Sequence, residues 1–201
     1  MMSINDFVFV KDKAFTDEFC DQMVDHFNLY EEHGLTIEGH SGRGLDYDTK
    51  RTTDLDILRV PDLESRYSNV ITNKFNHYLI NEYLTKLPSQ EHFPGNYLFF
   101  DSTFYECLNI QRYKQGEGHY NAWHIETGNF QMSRRMFAFI LYLTDVNEGG
   151  ETELLYSGMK ITPKKGSLLI FPSTFPYVHK GHMPVSDDKY ILTTWLSFVP
   201  K

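Results

Sequence analysis

Hydrophobic residues in the first half of the chain recur at the spacing of a helix. Thr16 is a suitable N-cap, and the apolar positions around it fall three and four residues apart, which predicts an amphipathic helix. A longer segment of the same kind begins near Asp62 and ends at Pro88, because proline cannot continue a helix. The predicted apolar faces are Phe15, Phe19, Cys20, Met23, Val24 and Phe27 in the first helix, and Leu63, Tyr67, Val70, Ile71, Phe75, Tyr78, Leu79, Tyr83 and Leu87 in the second.

From about Phe99 onward, the apolar positions follow the period of strands instead. Turn-forming runs at 147–150 and 163–166 separate the short segments. The predicted strands are Thr103 to Tyr113, Arg135 to Thr144, Glu151 to Leu155, Ser167 to Phe171, Tyr177 to His179 and Lys189 to Val199. We therefore predict an α+β fold that is mainly β, in which strands form a closed or double-sheet core and the helices pack outside it.

The length of 201 residues predicts a single domain over 1–201, with 1–98 as a mostly helical flank with a loop and 99–201 as the β core. Gly34 to Asp54 contains four glycines among polar residues, which predicts an exposed and mobile connection. A lid over a functional site and a plain long loop are both consistent with this segment.

Composition narrows the class of protein. A hydrophobic fraction of 41% is that of an ordinary globular domain, and a net charge of -8 does not favour a nucleic acid partner. The two cysteines, Cys20 and Cys107, form no C-x-x-C motif, so neither a disulfide framework nor a thiolate metal site is indicated. No signal peptide and no membrane span is predicted, and we expect a cytoplasmic protein.

His124 and Glu126 are the first candidates for chemistry. In an extended segment, side chains two residues apart point to the same side, so both can reach one ion. Two imidazoles and one carboxylate form the ligand set that holds a non-haem Fe(II) and leaves other coordination positions open. Nine histidines make an H-x-E triplet common by composition, so the triplet alone is weak support.

The third ligand would come from a neighbouring strand, and His179 and His182 are the candidates. We favour His179, because it ends an apolar run where a strand would finish, whereas His182 follows Gly181 in a predicted turn. His119 lies five residues before His124 and therefore has the wrong parity for the same strand face.

An ordered series of motifs covers about half of the chain. It consists of Ile110-Gln111-Arg112-Tyr113-x-x-Gly116, His124-x-Glu126, Tyr142-Leu143-Thr144-Asp145, Glu148-Gly149-Gly150-Glu151-Thr152, Pro163-x-x-Gly166, and His179 through Pro184-Val185 to Lys189-Tyr190 and Trp195. On these motifs the sequence resembles the Fe(II)- and 2-oxoglutarate-dependent oxygenases, specifically the prolyl 4-hydroxylase-like branch. The resemblance implies a double-stranded β-helix (jelly roll) core with N-terminal flanking helices.

The same resemblance implies that His124, Glu126 and His179 hold the iron. One departure is that the family's usual carboxylate ligand is aspartate, whereas Glu126 is one methylene longer. We expect glutamate to complete the triad. A carboxylate of either length argues against the halogenating relatives, which leave that position free for halide.

The strand from Lys189 divides by parity into two faces. Lys189 and Trp195 share one face, and if it looks into the core, a buried ammonium there needs an anion. The resemblance assigns that anion to the C5 carboxylate of 2-oxoglutarate. It also implies Tyr142 as a second donor to this carboxylate, Tyr113 nearer the keto-acid end, and Trp195 as a wall of the metal site.

The activity that the resemblance implies is hydroxylation of an unactivated C–H bond with O2, releasing succinate and CO2. A prolyl residue in a peptide or protein is the expected substrate. The alternatives are the same chemistry on a free amino acid or other small molecule, a non-catalytic jelly-roll binding module, and a zinc hydrolase, since two histidines and a glutamate also suit Zn²⁺.

Overall fold

The structure of the chain, a computed structural model, describes residues 3–42, 44–86 and 102–199. The predicted end of the second helix at Leu87 and Pro88, and the predicted boundary at 98/99, lie outside the described residues.

Both predicted helices are present. Helix α1 spans Asp17–Glu32, and the Thr16 hydroxyl accepts the backbone N–H of Phe19 at 3.2 Å, a cap that contributes roughly 1 kcal/mol. Helix α2 spans Pro61–His77, with proline in its first turn, where no helical N–H is required. A π-helical turn over Tyr78–Tyr83 and a 3₁₀ turn over Leu84–Lys86 extend α2 toward the end of this described segment.

The described residues form thirteen strands in addition to these two helices. They are β1 (Phe9–Lys11), β2 (Ile37–Glu38), β3 (Lys50–Arg51), β4 (Thr53–Asp56), β5 (Thr103–Tyr105), β6 (Asn109–Tyr113), β7 (His119–His124), β8 (Arg135–Tyr142), β9 (Thr152–Leu154), β10 (Met159–Ile161), β11 (Leu168–Pro172), β12 (His179–Gly181) and β13 (Lys189–Phe198).

The strands form two antiparallel sheets. The larger sheet has eight strands in the order β1-β11-β8-β13-β6-β4-β2, with β5 also paired to β13, and the smaller has five in the order β10-β9-β12-β7-β3. An apolar cluster between them joins Ile140 and Ile191 of the large sheet to Leu154 and Ile161 of the small sheet. This arrangement confirms the predicted mainly-β, double-stranded β-helix fold.

The helices cover the outer face of the large sheet, as predicted. Phe75 of α2 stacks on Phe139 with ring centres 5.1 Å apart, and Phe27 of α1 meets Tyr190 edge-on at 5.4 Å. These aromatic contacts bury the apolar helix faces and leave the inner face of the sheet free to line a site.

The prediction of an exposed connection over Gly34 to Asp54 is wrong for its later part. Strand β3 pairs with β7, and β4 pairs with β6, so this segment extends both sheets. Three further strands, β1, β7 and β10, were not among the predicted strands, and Thr103 to Tyr113 is divided into β5 and β6.

A buried polar network explains why the segment folds onto the sheets. One oxygen of the Asp54 carboxylate accepts from Lys50 Nζ (3.3 Å), Asn109 Nδ2 (3.0 Å) and Gln111 Nε2 (3.1 Å), and the other from Thr52 Oγ1 (2.7 Å). Polar groups that satisfy one another in this way are stable in an interior, although hydrophobic patterning cannot predict it.

Gly39 offers a test of this packing. A methyl group at Gly39 would collide with the Thr52 hydroxyl and lie 3.0 Å from Asp54 Oδ1, so we expect Gly39→Ala to lower the free energy of unfolding by ~1 to 3 kcal/mol in chemical denaturation. Gly42→Ala is the matched control, because the nearest atom to its added methyl is Met132 Cε at 3.9 Å. Equal stabilities for the two variants would contradict this packing.

Candidate metal centre and co-substrate pocket

His124, Glu126 and His179 meet where two neighbouring inner strands of the small sheet, β7 and β12, end and begin. His124 ends β7 and His179 begins β12, and the two residues are direct partners in the antiparallel pairing. One ligand atom from each of the three side chains lies within 4.8 Å of the others. Glu126 Oε1 is 3.1 Å from His179 Nε2 and 3.9 Å from His124 Nε2.

Backbone carbonyls orient both imidazoles. His124 Nδ1 lies 2.8 Å from the Ala122 carbonyl oxygen, and His179 Nδ1 lies 3.1 Å from that of Tyr177. A carbonyl only accepts, so each Nδ1 carries a proton, and each ring turns its Nε2 toward Glu126. Histidines that bind a metal through one ring nitrogen are usually held in place by such a hydrogen bond from the other ring nitrogen.

The electrostatics keep the cluster in its metal-binding protonation state. Burial, with the neighbouring His179, lowers the pKa of His124 to about 4, so this ring is neutral at pH 7. Burial alone would raise the pKa of Glu126, but the hydrogen bond and charge of His179, with smaller contributions from His124 and Arg135, lower it to about 2. A neutral imidazole and an ionised carboxylate are the forms that bind a cation.

The cluster opens into a cavity of about 820 Å³ between the sheets. All three candidate ligands line it, together with Lys189, Tyr113 and Trp195. Two imidazole nitrogens and one carboxylate oxygen facing an open cavity fit a non-haem Fe(II) with coordination positions left for other ligands.

Lys189 lies inside this cavity, 1% exposed. Its ammonium donates to the Gly150 carbonyl oxygen at 2.9 Å and lies 3.9 Å from the centre of the Tyr113 ring. Within residues 3–42, 44–86 and 102–199, no carboxylate forms an ion pair with it, and burial lowers the pKa of Lys189 to about 7, opposed in part by Glu151. A buried cation without a counterion is a site for an anionic group.

A family model described as the 2OG-Fe(II) oxygenase superfamily matches residues 108–197. This part of the chain is therefore similar to the 2OG-Fe(II) oxygenase superfamily. The match covers the strands from β6 to β13 and therefore all of the candidate ligands and Lys189.

Two curated plant proteins are similar to part of this chain. It is 28% identical to prolyl 4-hydroxylase 13 of Arabidopsis thaliana, over 48% of this chain and 44% of the relative. It is 33% identical to probable prolyl 4-hydroxylase 9 of the same plant, over 45% of this chain and 40% of the relative. The chain thus spans less than half the length of these relatives.

Solved structures share the fold at low sequence identity. A Pseudomonas putida prolyl-4-hydroxylase matches with a TM-score of 0.70 at 15% identity, over 95% of this chain and 92% of that one. A Trichoplax adhaerens prolyl hydroxylase in complex with a hypoxia inducible factor peptide fragment matches with a TM-score of 0.71 at 17% identity, over 96% and 84%. These likenesses support the jelly-roll fold.

The structure separates His182 and His119 from the cluster of His124, Glu126 and His179. His182 Nε2 contacts Glu153 Oε2 at 2.6 Å, and the two ring nitrogens of His119 contact the backbone carbonyls of Glu117 and Tyr47. The preference for His179 over His182 thus agrees with the geometry.

Tyr142 occupies a different position from the one expected for a carboxylate ligand. It is fully buried, and its hydroxyl donates to Thr152 Oγ1 at 2.8 Å. Thr152 is a lining residue of the cavity, whereas Tyr142 is not. Its role as a second donor to a carboxylate stays a prediction.

Sequence patterning missed several groups of the cavity. Lys50 and Gln111 line it as members of the Asp54 network, and Tyr120 stacks on His124 with ring centres 3.8 Å apart. Arg135 lies against Glu126 and Trp195. These groups come from distant segments, and the sequence analysis assigned none of them a role in a site. No described helix is long and apolar enough to span a membrane.

Proposed function

We propose that this chain is an Fe(II)- and 2-oxoglutarate-dependent dioxygenase that hydroxylates a prolyl residue in a peptide or protein. The observation that carries the proposal is the unpaired ammonium of Lys189 in the same cavity as the His124–Glu126–His179 cluster. A metal site and a buried cation in one cavity match the two ends of a keto diacid. The family match supports this assignment.

Each part of the site has a distinct task in this proposal. His124, Glu126 and His179 hold Fe(II), and Lys189 binds the C5 carboxylate of 2-oxoglutarate. When bound, Fe(II) would allow O2 to act as the oxidant while 2-oxoglutarate supplies two electrons. In the overall reaction 2-oxoglutarate becomes succinate and CO2, one oxygen atom of O2 enters succinate, and the other enters a substrate C–H bond. Ile140 and Ile191 line the cavity with apolar groups that exclude water and strengthen its electrostatic contacts.

A peptide substrate fits the shape and chemistry of the cavity mouth. Phe175 and Trp123 line the cavity while remaining 64% and 40% exposed, and Phe175 forms an edge-on pair with Tyr156 at 5.5 Å. Exposed aromatic surfaces mark binding sites, and proline-rich segments dock on aromatic-lined grooves. The curated relatives named as prolyl 4-hydroxylases favour the same substrate class.

Anaerobic reconstitution tests the metal and co-substrate assignment. We expect Fe(II) and 2-oxoglutarate together to give a visible charge-transfer band that neither gives alone, followed by succinate formation in air. Absence of the band and of succinate would favour a non-catalytic binding module. A hydrolytic activity with Zn²⁺ in place of this behaviour would favour a zinc hydrolase.

Substrate class is tested separately. We expect proline-containing peptides to stimulate succinate formation and to gain the mass of one oxygen atom, whereas the same peptides with alanine for proline should do neither. Turnover of free amino acids but not of any proline peptide would contradict the proposed substrate and retain the proposed chemistry.

A further inference from the structure

Arg135 lies between two carboxylates beside the metal cluster. It begins β8, and its Nε and Nη2 donate to Glu106 Oε2 at 2.8 and 2.7 Å. Its guanidinium carbon lies 3.7 Å from the centre of the Trp195 ring, and its side chain is only 11% exposed. An ion pair on one side and an aromatic face on the other hold the guanidinium in one orientation.

Glu106 is itself fixed. Its Oε1 accepts from Ser197 Oγ at 2.6 Å, and its backbone N–H donates to the Trp195 carbonyl oxygen at 3.1 Å. The interruption between β5 and β6 places this carboxylate beside Arg135. The support for Arg135 is therefore part of the sheet rather than of a loose surface loop.

The remaining nitrogen of Arg135 contacts both ends of Glu126. Nη1 lies 3.4 Å from Glu126 Oε2 and 3.3 Å from the Glu126 carbonyl oxygen. The backbone N–H of Glu126 donates to the Ser173 carbonyl oxygen at 3.0 Å. As a result, Oε2 faces Arg135 while Oε1 faces His179 and His124.

The glutamate side chain is long and flexible, so a contact that fixes which carboxylate oxygen faces the histidines affects metal binding. Its carboxylate stands two methylenes from the backbone and rotates about three bonds, so holding one orientation costs conformational entropy. Glu106 already balances the charge of Arg135, so the main effect of Arg135 on Glu126 is on orientation.

We propose that Arg135 is a positioning residue that presents Glu126 Oε1 alone to the metal. The inference rests on the proposed function, because it assigns Glu126 as a ligand. Arg135 itself binds neither metal nor co-substrate in this role. Partners of metal ligands that act in this way typically change metal affinity by 10- to 100-fold when removed.

A titration with Co²⁺ alone measures this effect without turnover. We expect Arg135→Gln to weaken Co²⁺ binding by ~10- to 100-fold and to change the visible d–d bands that report coordination. Arg134→Gln is the matched control, with the same loss of charge, because Arg134 contacts Phe198 O at 3.5 Å and lies over the Phe104 ring. We expect the affinity and spectrum of the control to match wild type.

A double-mutant cycle separates positioning from a general structural role. The side chain of an aspartate at position 126 is too short to keep the contact of its carboxylate with Arg135. We therefore expect Arg135→Gln to lower the Co²⁺ affinity little further in a Glu126→Asp background. Equal losses in both backgrounds, or no loss in either, would overturn the proposal. If Arg135→Gln does not fold, Arg135→Lys keeps the charge but not the fork of donors, and an affinity equal to wild type would overturn it instead.

The same titration distinguishes this inference from the proposed function. Failure of the wild-type protein to bind Co²⁺, or binding that survives His124→Ala, would remove the metal site and with it both proposals. Wild-type binding that needs His124, combined with unchanged binding in Arg135→Gln, would remove only the role of Arg135.

Discussion

Replacing His179 with alanine is expected to abolish metal binding, whereas replacing His182 with alanine is expected to leave it unchanged. His179 Nε2 lies 3.1 Å from Glu126 Oε1 and is oriented by the Tyr177 carbonyl. Its loss would leave two of the three proposed protein ligands. Dividing the ~10 to 16 kcal/mol of a four-ligand zinc site by four gives roughly 2.5 to 4 kcal/mol for one ligand, which corresponds to roughly 70- to 900-fold in affinity.

Calorimetric titration with Co²⁺ and the visible band of the Fe(II) and 2-oxoglutarate complex both report this loss. His182→Ala is a matched control, since it removes an imidazole from the same region that contacts Glu153 instead of Glu126. Retained binding in His179→Ala with loss in His182→Ala would reassign the third ligand.

The meeting of His124, Glu126 and His179 was predictable in part, because strand geometry converts the spacing of residues into the direction of their side chains. Two residues on alternate positions of β7 and its extension, His124 and Glu126, necessarily point to one side. The alternation within β13 likewise put Lys189 and Trp195 on the face that lines the cavity. The outer face, with Tyr190 and Leu192, packs in the cluster that includes the helices.

The supporting groups were not predictable, because they satisfy one another across distant segments. Asp54 is buried with donors from β3 and β6, and its segment looked like a hydrophilic loop. Glu106 and Arg135 stand 29 positions apart, with no motif that joins them. Such pairings depend on sheet register, which hydrophobic periodicity does not specify between strands.

Tyr142 shows a second limit of patterning. Tyr142 lies in β8 and belongs to the apolar cluster between the two sheets. Neighbouring side chains decide whether a residue on that face of the strand reaches the cavity. The Tyr142 hydroxyl donates to Thr152, and Thr152, not Tyr142, lines the cavity where a carboxylate would bind. Parity predicts the face of a strand, whereas hydrogen-bond partners require three-dimensional structure.

Replacing Lys189 with methionine is expected to weaken 2-oxoglutarate binding while stabilising the protein without ligand. Removing one member of a buried charge pair costs ~2 to 5 kcal/mol of binding free energy, which corresponds to roughly 30- to 5000-fold in affinity. Calorimetry with 2-oxoglutarate in the presence of Co²⁺ measures this loss. Lys180→Met is the control, because its ammonium lies over the Trp123 ring at the mouth of the cavity.

The stability gain follows from the sign of the pKa change. The pKa of Lys189 is about 7 in the folded protein, below its value in the unfolded chain, so the unfolded chain binds more protons between these values. Stability of the wild-type protein should therefore rise with pH above 7 through this residue. The buried ammonium costs on the order of 4 kcal/mol at pH 7, and methionine removes that cost.

Methionine also leaves the Gly150 carbonyl without the donor that Lys189 provides, at a cost of ~1 to 3 kcal/mol. We therefore expect Lys189→Met to raise the free energy of unfolding by ~1 to 3 kcal/mol at pH 7. From pH 7 toward higher pH, the free energy of unfolding of the variant should rise less than that of the wild-type protein. Unchanged 2-oxoglutarate affinity would remove Lys189 from the co-substrate site. A less stable Lys189→Met protein would show that the interior already satisfies the ammonium, and the need for an external anion would then disappear.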